Sequence, residues 1–328
     1  MTAAARTEPA APTVLDARGL SVRLALESGT IVPVRGIDLR VRRGEALGLV
    51  GESGSGKSLT MRALLDVLPE GGSRGGTVAL ETVAADGSRV PARAALVFQE
   101  PLSALNPTMR VGDAIAEAAR ARGVRPRAAR ALAVDLLAQV GVPEPERRAR
   151  DWPHELSGGL RQRVMIAVAL AAEPDVLFCD EPTTALDVTV QAQILALLDR
   201  LRRERGLALV FVSHDLSVVA QLCDRVAVMY AGEIVEQGPL GEVLAGPAHP
   251  YTAALLAAAP ALDHRQDRLL PIPGTPPDPR AFPDGCRFAA RCRFADEACR
   301  SARTELRVVG ADRATACIRP GAGEGVFS

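Results

Sequence analysis

Lysine is almost missing from this chain of 328 residues: of its 39 basic side chains one, Lys57, is lysine and all the others are arginine. So skewed a composition reflects replacement of lysine by arginine wherever either serves. The survivor marks a place where a compact ammonium on a flexible stem does what a broad planar guanidinium does not. A charge surplus is missing too, since 39 acidic residues balance the 39 basic ones. That excludes a dedicated nucleic-acid binder, which carries a basic excess. The arginine-rich stretches 120–130 and 147–150 read as solvated helical faces. No apolar run is long enough to span a bilayer; the best candidate, TAALLAAAPAL at 252–262, is short and broken by Pro260. The start, MTAAARTEPAAPT, lacks the apolar core of an export signal, and residues 1–13 read as a disordered tail in a cytoplasmic chain. In that compartment six cysteines do not suggest a disulfide framework. What is there is a chain 48% hydrophobic, too apolar for intrinsic disorder and able to bury a sizeable core.

Residues 14–50 alternate apolar and polar positions and predict short, mainly antiparallel strands. From about 45 the rhythm changes to α/β alternation. EALGLV predicts a strand, and a helix follows from Lys57, with Met61, Leu64, Leu65 and Leu68 on one face and a stop at Pro69. Residues 100–172 read as mostly helical, Leu132, Leu136, Leu137 and Val140 repeating at helical spacing before Gly141. Strands return at 175–180, 207–212 and 225–230, which predicts a mostly parallel sheet covered on both faces. After about 245 the composition shifts to proline, glycine and cysteine, so a boundary is expected near 248.

Residues 51–58, GESGSGKS, lie between a predicted strand and a predicted helix. Small residues at Gly51, Ser53, Gly54, Ser55 and Gly56 let the backbone curl so that successive N–H groups form a concave phosphate cradle, with Glu52 inside the same turn. The helix N-terminus adds its positive end. Lys57 reaches the β and γ phosphates and the Ser58 hydroxyl can ligate Mg²⁺. A Gly-rich turn with an incidental lysine is the bland alternative, and the lysine count weighs against it. DVLFCDEP at 175–182 supplies the acids such a cradle needs: Asp180 to hold Mg²⁺ through water, and Glu181 as general base toward the attacking water. In LSGGLRQR at 156–163, Ser157, Gly158 and Gly159 open a second anion-binding helix end. Two such ends far apart in one chain are explained if the second completes the site of a neighbouring subunit.

These motifs, with Gln99 after ALVF, ALD at 185–187 and His214 after LVFVS, stand in the order seen in the ATPase subunits of ATP-binding-cassette (ABC) transporters, which this chain resembles over 51–215. The resemblance implies a RecA-like P-loop core over 14–248 with an N-terminal antiparallel β subdomain and a helical subdomain. It implies that Gln99 senses the γ phosphate and Mg²⁺, that Ser157 and Gly159 contact ATP on the opposite subunit, that Asp187 lies at the dimer interface, and that His214 holds the γ phosphate and water. FQEPLSALNP (98–107), HELSGGLRQRVMIAVAL (154–170), HPYTAALLAA (249–258) and LLPIPGTPPDP (269–279) resemble the oligopeptide and dipeptide importer branch, which includes nickel importers. That implies a peripheral ATPase at the cytoplasmic membrane face, paired with a second ATPase (a heterodimer in preference to a homodimer), two permeases and an extracytoplasmic binding protein. An exporter, or a soluble cassette acting on ribosomes or DNA, fits less well: the chain has one cassette and no fused membrane helices. One departure is Leu24, where the family has an aromatic that stacks on adenine.

Cys179 and Cys223 stand in apolar contexts and read as packing residues. Cys286, Cys292, Cys299 and Cys317 lie within the last 43 residues, in a segment, 249–328, with little apolar core of its own. Four thiolates folding it around a metal is the best physical explanation. Resemblance to importer ATPases with a GCRFAARC-type tail points to a [4Fe–4S] cluster; zinc and unligated thiols remain open. Arg287, Arg291 and Arg293 would offset the cluster's negative charge.

Overall fold

The computed structural model describes residues 11–84, 86–184, 186–258, 272–301 and 305–319. Most of the tail predicted over 1–13, and residues 259–271 behind the apolar stretch 252–262, lie outside them. Two sheets organise the chain. The first, ordered β2-β1-β4-β5, is antiparallel and consists of β1 (Thr13–Leu26), β2 (Gly29–Arg42), β4 (Gly72–Val83) and β5 (Arg89–Pro91). The N-terminal strands are antiparallel as predicted but not short: β1 and β2 each run 14 residues, with bulges that absorb the interruptions in their alternation.

The second sheet places β3 (Ala46–Val50) at its centre, parallel to β8 (Ala208–Ser213) and β9 (Arg225–Tyr230), and continues in parallel through β7 (Val176–Asp180) to β6 (Ala94–Val97). β3, β7, β8 and β9 are buried on both faces, and the two-residue period divides their side chains between two cores. Leu47, Leu49, Val176, Phe178, Val210 and Val212 pack toward β1 and β2, whereas Ala46, Val50, Leu177, Cys179, Leu209 and Phe211 pack toward the helical side. The predicted helical stretch lies between β6 and β7, its longest members being Val111–Ala121, Pro126–Gln139 and Gly158–Ala171. The helix after β3 runs only over Lys57–Leu64. Leu65 caps it in helical conformation and Asp66, left-handed at φ 59, turns the chain before Leu68; both leucines still pack against the second core.

The other edge of this sheet is antiparallel: β10 (Glu233–Pro239) pairs β9 and then β12 (Arg313–Thr315), which pairs β11 (Arg307–Gly310). The cysteine-rich end of the chain therefore extends the central sheet. It is fastened by Glu236, fully buried, which accepts hydrogen bonds from the amides of Ala248 and His249 at 2.9 Å and from Arg313 Nη2 at 2.7 Å. Tyr251 and Phe288 pack with Tyr230 into an aromatic cluster, the ring centroids of Tyr230 and Tyr251 lying 4.6 Å apart. The extension has little apolar core of its own because it shares this one. Among the described residues no helix is long and apolar enough to cross a membrane.

Candidate active site

The loop 51–58 leaves β3 and enters the helix that begins at Lys57. Gly54 and Gly56 take φ of 78 and 99, which side chains on Cβ disfavour, and Gly51 is packed so closely that a Cβ would lie 2.1 Å from Met229 O. Lys57 is 5% exposed, and its Nζ spans the loop, donating to Gly51 O at 2.8 Å and Glu52 O at 3.0 Å. Burial lowers its pKa against the opposing charges of Glu181, Asp180 and Glu52. Ser58 Oγ donates to Asp180 Oδ1 at 3.0 Å. Burial raises the Asp180 carboxyl pKa, opposed by that hydrogen bond and reinforced by Glu181. A hydroxyl and a carboxylate meeting beside a phosphate loop are hard oxygen donors of the kind Mg²⁺ takes.

Glu181 follows β7 with φ 43, a strained conformation for a residue with a Cβ. Its Oε2 accepts from Thr184 Oγ1 at 3.0 Å, lies 3.1 Å from His214 Nδ1 and is approached by Gln99 Nε2 at 3.5 Å. Three side chains from three separate segments thus converge on one carboxylate oxygen.

A cavity of about 910 Å³ joins these groups. Glu52, Ser53, Gly54, Gly56, Lys57, Ser58, Gln99, Glu181 and His214 line it, together with Pro33, Leu59, Leu255 and Pro276. Gly51 and Ser55 shape the loop without lining the cavity, and Asp180 reaches it through Ser58. Ser157, Gly158, Gly159 and Asp187 are not part of it. Ser157 caps the helix Gly158–Ala171, its Oγ accepting from Leu160 N at 3.4 Å, and Asp187 caps Val188–Arg205, its Oδ1 accepting from Val190 N at 2.9 Å. The two caps are adjacent: a Cβ on Gly159 would lie 2.6 Å from Val190 Cγ1.

Leu24 does not line the cavity. It packs against the second core, near Gly72, and the apolar residues that do line the cavity are Pro33, Leu59, Leu255 and Pro276. Thr184 was not singled out in the sequence, although its place three residues after Glu181 could have signalled it. Leu255 and Pro276 belong to the C-terminal region, and no local pattern marks them as neighbours of the loop.

Cys179 and Cys223 are buried and packed, as expected. Cys286, Cys292, Cys299 and Cys317, all free thiols, line one cavity with His249, Phe288, Phe294 and Ile318. Burial raises the thiol pKa of Cys286 to about 11. Among the described residues no three His, Cys, Asp or Glu side chains are arranged to hold a metal ion. The arginines expected to neutralise a cluster are engaged elsewhere: Arg291 pairs with Glu52, Arg287 reaches Ala231 O and Glu233, and Arg293 lies over the Phe294 ring. Fixed carboxylates and carbonyls of the central sheet and the 51–58 loop claim the first two, because the cysteine segment is folded directly onto them.

Comparison with known proteins identifies the family. Residues 34–184 match the ABC transporter family model, and residues 235–299 match that of the oligopeptide/dipeptide transporter C-terminal region. The chain is 44% identical over 327 residues to a protein of Brucella melitensis named as a peptide import ATP-binding protein, covering 93% of this chain and 97% of that one. It is 46% identical over 316 residues to the oligopeptide transport ATP-binding protein OppD of Mycobacterium tuberculosis, where it spans 52% of the relative's length. Among solved structures, the dimeric ABC transporter cassette MJ0796 superposes with a TM-score of 0.58 at 25% identity, over 69% of this chain and 98% of that one. Clostridium perfringens cbiO1, part of the cbiONQ transporter complex, gives 0.59 at 28% identity, over 71% and 91%. The chain belongs to the ATP-binding subunits of ABC transporters, with the C-terminal region of the oligopeptide/dipeptide branch.

Proposed function

We propose that this chain hydrolyses ATP to power import of oligopeptides or dipeptides through membrane permeases. The observation that carries the reading is the Glu181 carboxylate, held by Thr184, His214 and Gln99 beside the Lys57 loop. In this reading the loop amides and Lys57 bind the β and γ phosphates, as Lys57 exchanges its two carbonyl partners for phosphate oxygens. Ser58 and Asp180, with Gln99, would hold Mg²⁺, and the ion would supply neutralisation of charge on the phosphates. Glu181 takes the proton of the attacking water, and His214 keeps that water and the γ phosphate in place. Ser157, Gly158, Gly159 and Asp187 stand outside their own chain's cavity, which supports their serving the ATP of a second ATPase subunit.

The partners that fit are a related ATPase, two permeases and an extracytoplasmic binding protein, with the chain peripheral at the cytoplasmic membrane face. The ATPase unit is taken as 14–248 and the importer-type extension as 249–328. Peptide cargo is favoured over nickel by the names of the relatives. Co-purification from membranes, followed by reconstitution of the recovered complex, tests this. Two permeases and ATP-driven peptide uptake are expected; recovery with ribosomes or DNA, or uptake of nickel alone, overturns it.

The four extension thiols are also proposed to hold a [4Fe–4S] cluster. What supports this is the confinement of Cys286, Cys292, Cys299 and Cys317 to one cavity with largely apolar walls. Anaerobically purified protein is expected to be brown, with about four irons per chain. Cys292→Ser should lose the colour. Colourless, iron-free protein overturns the assignment.

A further inference from the structure

Residue 52 is the first residue of the phosphate loop after Gly51, and each of its polar groups is held by a different partner. Its carboxylate receives both terminal nitrogens of Arg291, Nη1 to Oε2 at 2.6 Å and Nη2 to Oε1 at 3.0 Å. Its amide donates to the Tyr251 hydroxyl at 2.9 Å, and its carbonyl accepts from Lys57 Nζ at 3.0 Å. Arg291 and Tyr251 both come from beyond residue 249, so the C-terminal region grips the loop directly.

Arg291 is not a mobile surface partner. Its side chain is 4% exposed, Nε donates to Pro273 O at 2.7 Å, Nη2 also reaches Ile272 O at 3.2 Å, and Nη1 reaches Tyr230 Oη at 3.3 Å. All three nitrogens are used, so the fork has one orientation. Tyr251, wholly buried against Tyr230 and Phe288, fixes the amide side just as firmly.

A carboxylate at this position has an electrostatic consequence. Glu52 lines the cavity in which a polyphosphate would sit, and an uncompensated negative charge there repels it. We propose that Arg291 is a positioning residue of the ATPase: it neutralises and orients Glu52, and thereby holds the entrance of the phosphate loop in its ATP-binding form. Tyr251 supports the same residue through its amide. The proposal rests on the reading of loop 51–58 as the ATP site.

Direct measurement of ATP·Mg²⁺ affinity and of turnover at saturating ATP on the full chain tests it. Arg291→Met should raise Kd about tenfold and change the saturated rate by no more than about twofold. Adding Glu52→Gln should bring Kd back to within about threefold of the parent, because the repelling charge disappears with its partner. A purely structural role for Arg291 predicts the opposite, no relief from the second change. An Arg291→Met variant that binds ATP like the parent overturns the proposal, as does a loss that Glu52→Gln leaves unrelieved. If Arg291→Met fails to fold, Arg291→Gln serves in its place, with the same expected loss of affinity and the same relief by Glu52→Gln; parental affinity there overturns the proposal. Lys57→Ala is the control on the underlying reading, since ATP binding unaffected by that change would mean the loop is not the ATP site.

Discussion

Glu181→Gln is expected to leave ATP binding intact while lowering turnover by about 10³-fold. The amide is nearly isosteric with the carboxylate and can still accept from Thr184, so the φ 43 backbone and the three-way contact with Thr184, His214 and Gln99 need not collapse. What it cannot do is accept a proton from water. The expected pattern is an unchanged Kd for ATP beside a large fall in phosphate release, which separates proton transfer from binding. Near-normal hydrolysis would mean that water is activated elsewhere, and the convergence on Glu181 Oε2 would then be a structural knot only.

Lys57→Arg should lower kcat/KM by about 10²-fold although the charge is unchanged. Nζ sits 5% exposed between Gly51 O and Glu52 O, at distances of 2.8 and 3.0 Å. The loop around it is tight: a Cβ at Gly56 would already stand 2.9 Å from Met229 Cε, and one at Gly51 2.1 Å from Met229 O. A planar guanidinium is wider than an ammonium and needs its hydrogen-bond partners in one plane. Phosphate release together with ATP binding measures the effect. An arginine variant with parental activity would reduce the single lysine to an accident of composition.

The phosphate loop and the acidic strand were legible because each is local. GESGSGKS and DVLFCDEP hold their chemistry within eight residues, and the central parallel strands announced themselves as unbroken apolar runs. The helix after Lys57 was read too long because Leu65 and Leu68 keep helical spacing, yet they reach the same core from either side of a left-handed turn at Asp66. Leu24 kept the sequence position of a base-stacking residue, but alternation along β1 turns it into the second core. Pro33, Leu255 and Pro276 entered the site only through the fold.

By itself the sequence determined the family: the glycine-rich loop with its lone lysine, the acidic strand and the Ser-Gly-Gly helix start stand in the order of an ABC ATPase, and each is short enough to read without the fold. It also gave the α/β class, since alternating apolar strands and helices leave few ways to cover a parallel sheet. Only the tertiary structure decided how the C-terminal region relates to the ATPase. No spacing rule connects Arg291 with Glu52, or Thr315 with Glu236, because those contacts close loops of 239 and about 80 residues and depend on which sheet edge was left to pair. The arginines beside the cysteines looked like counter-charges for a metal centre. Folded against the sheet, two of them face Glu52 and Glu233, because a buried guanidinium settles where fixed carboxylates and carbonyls already point.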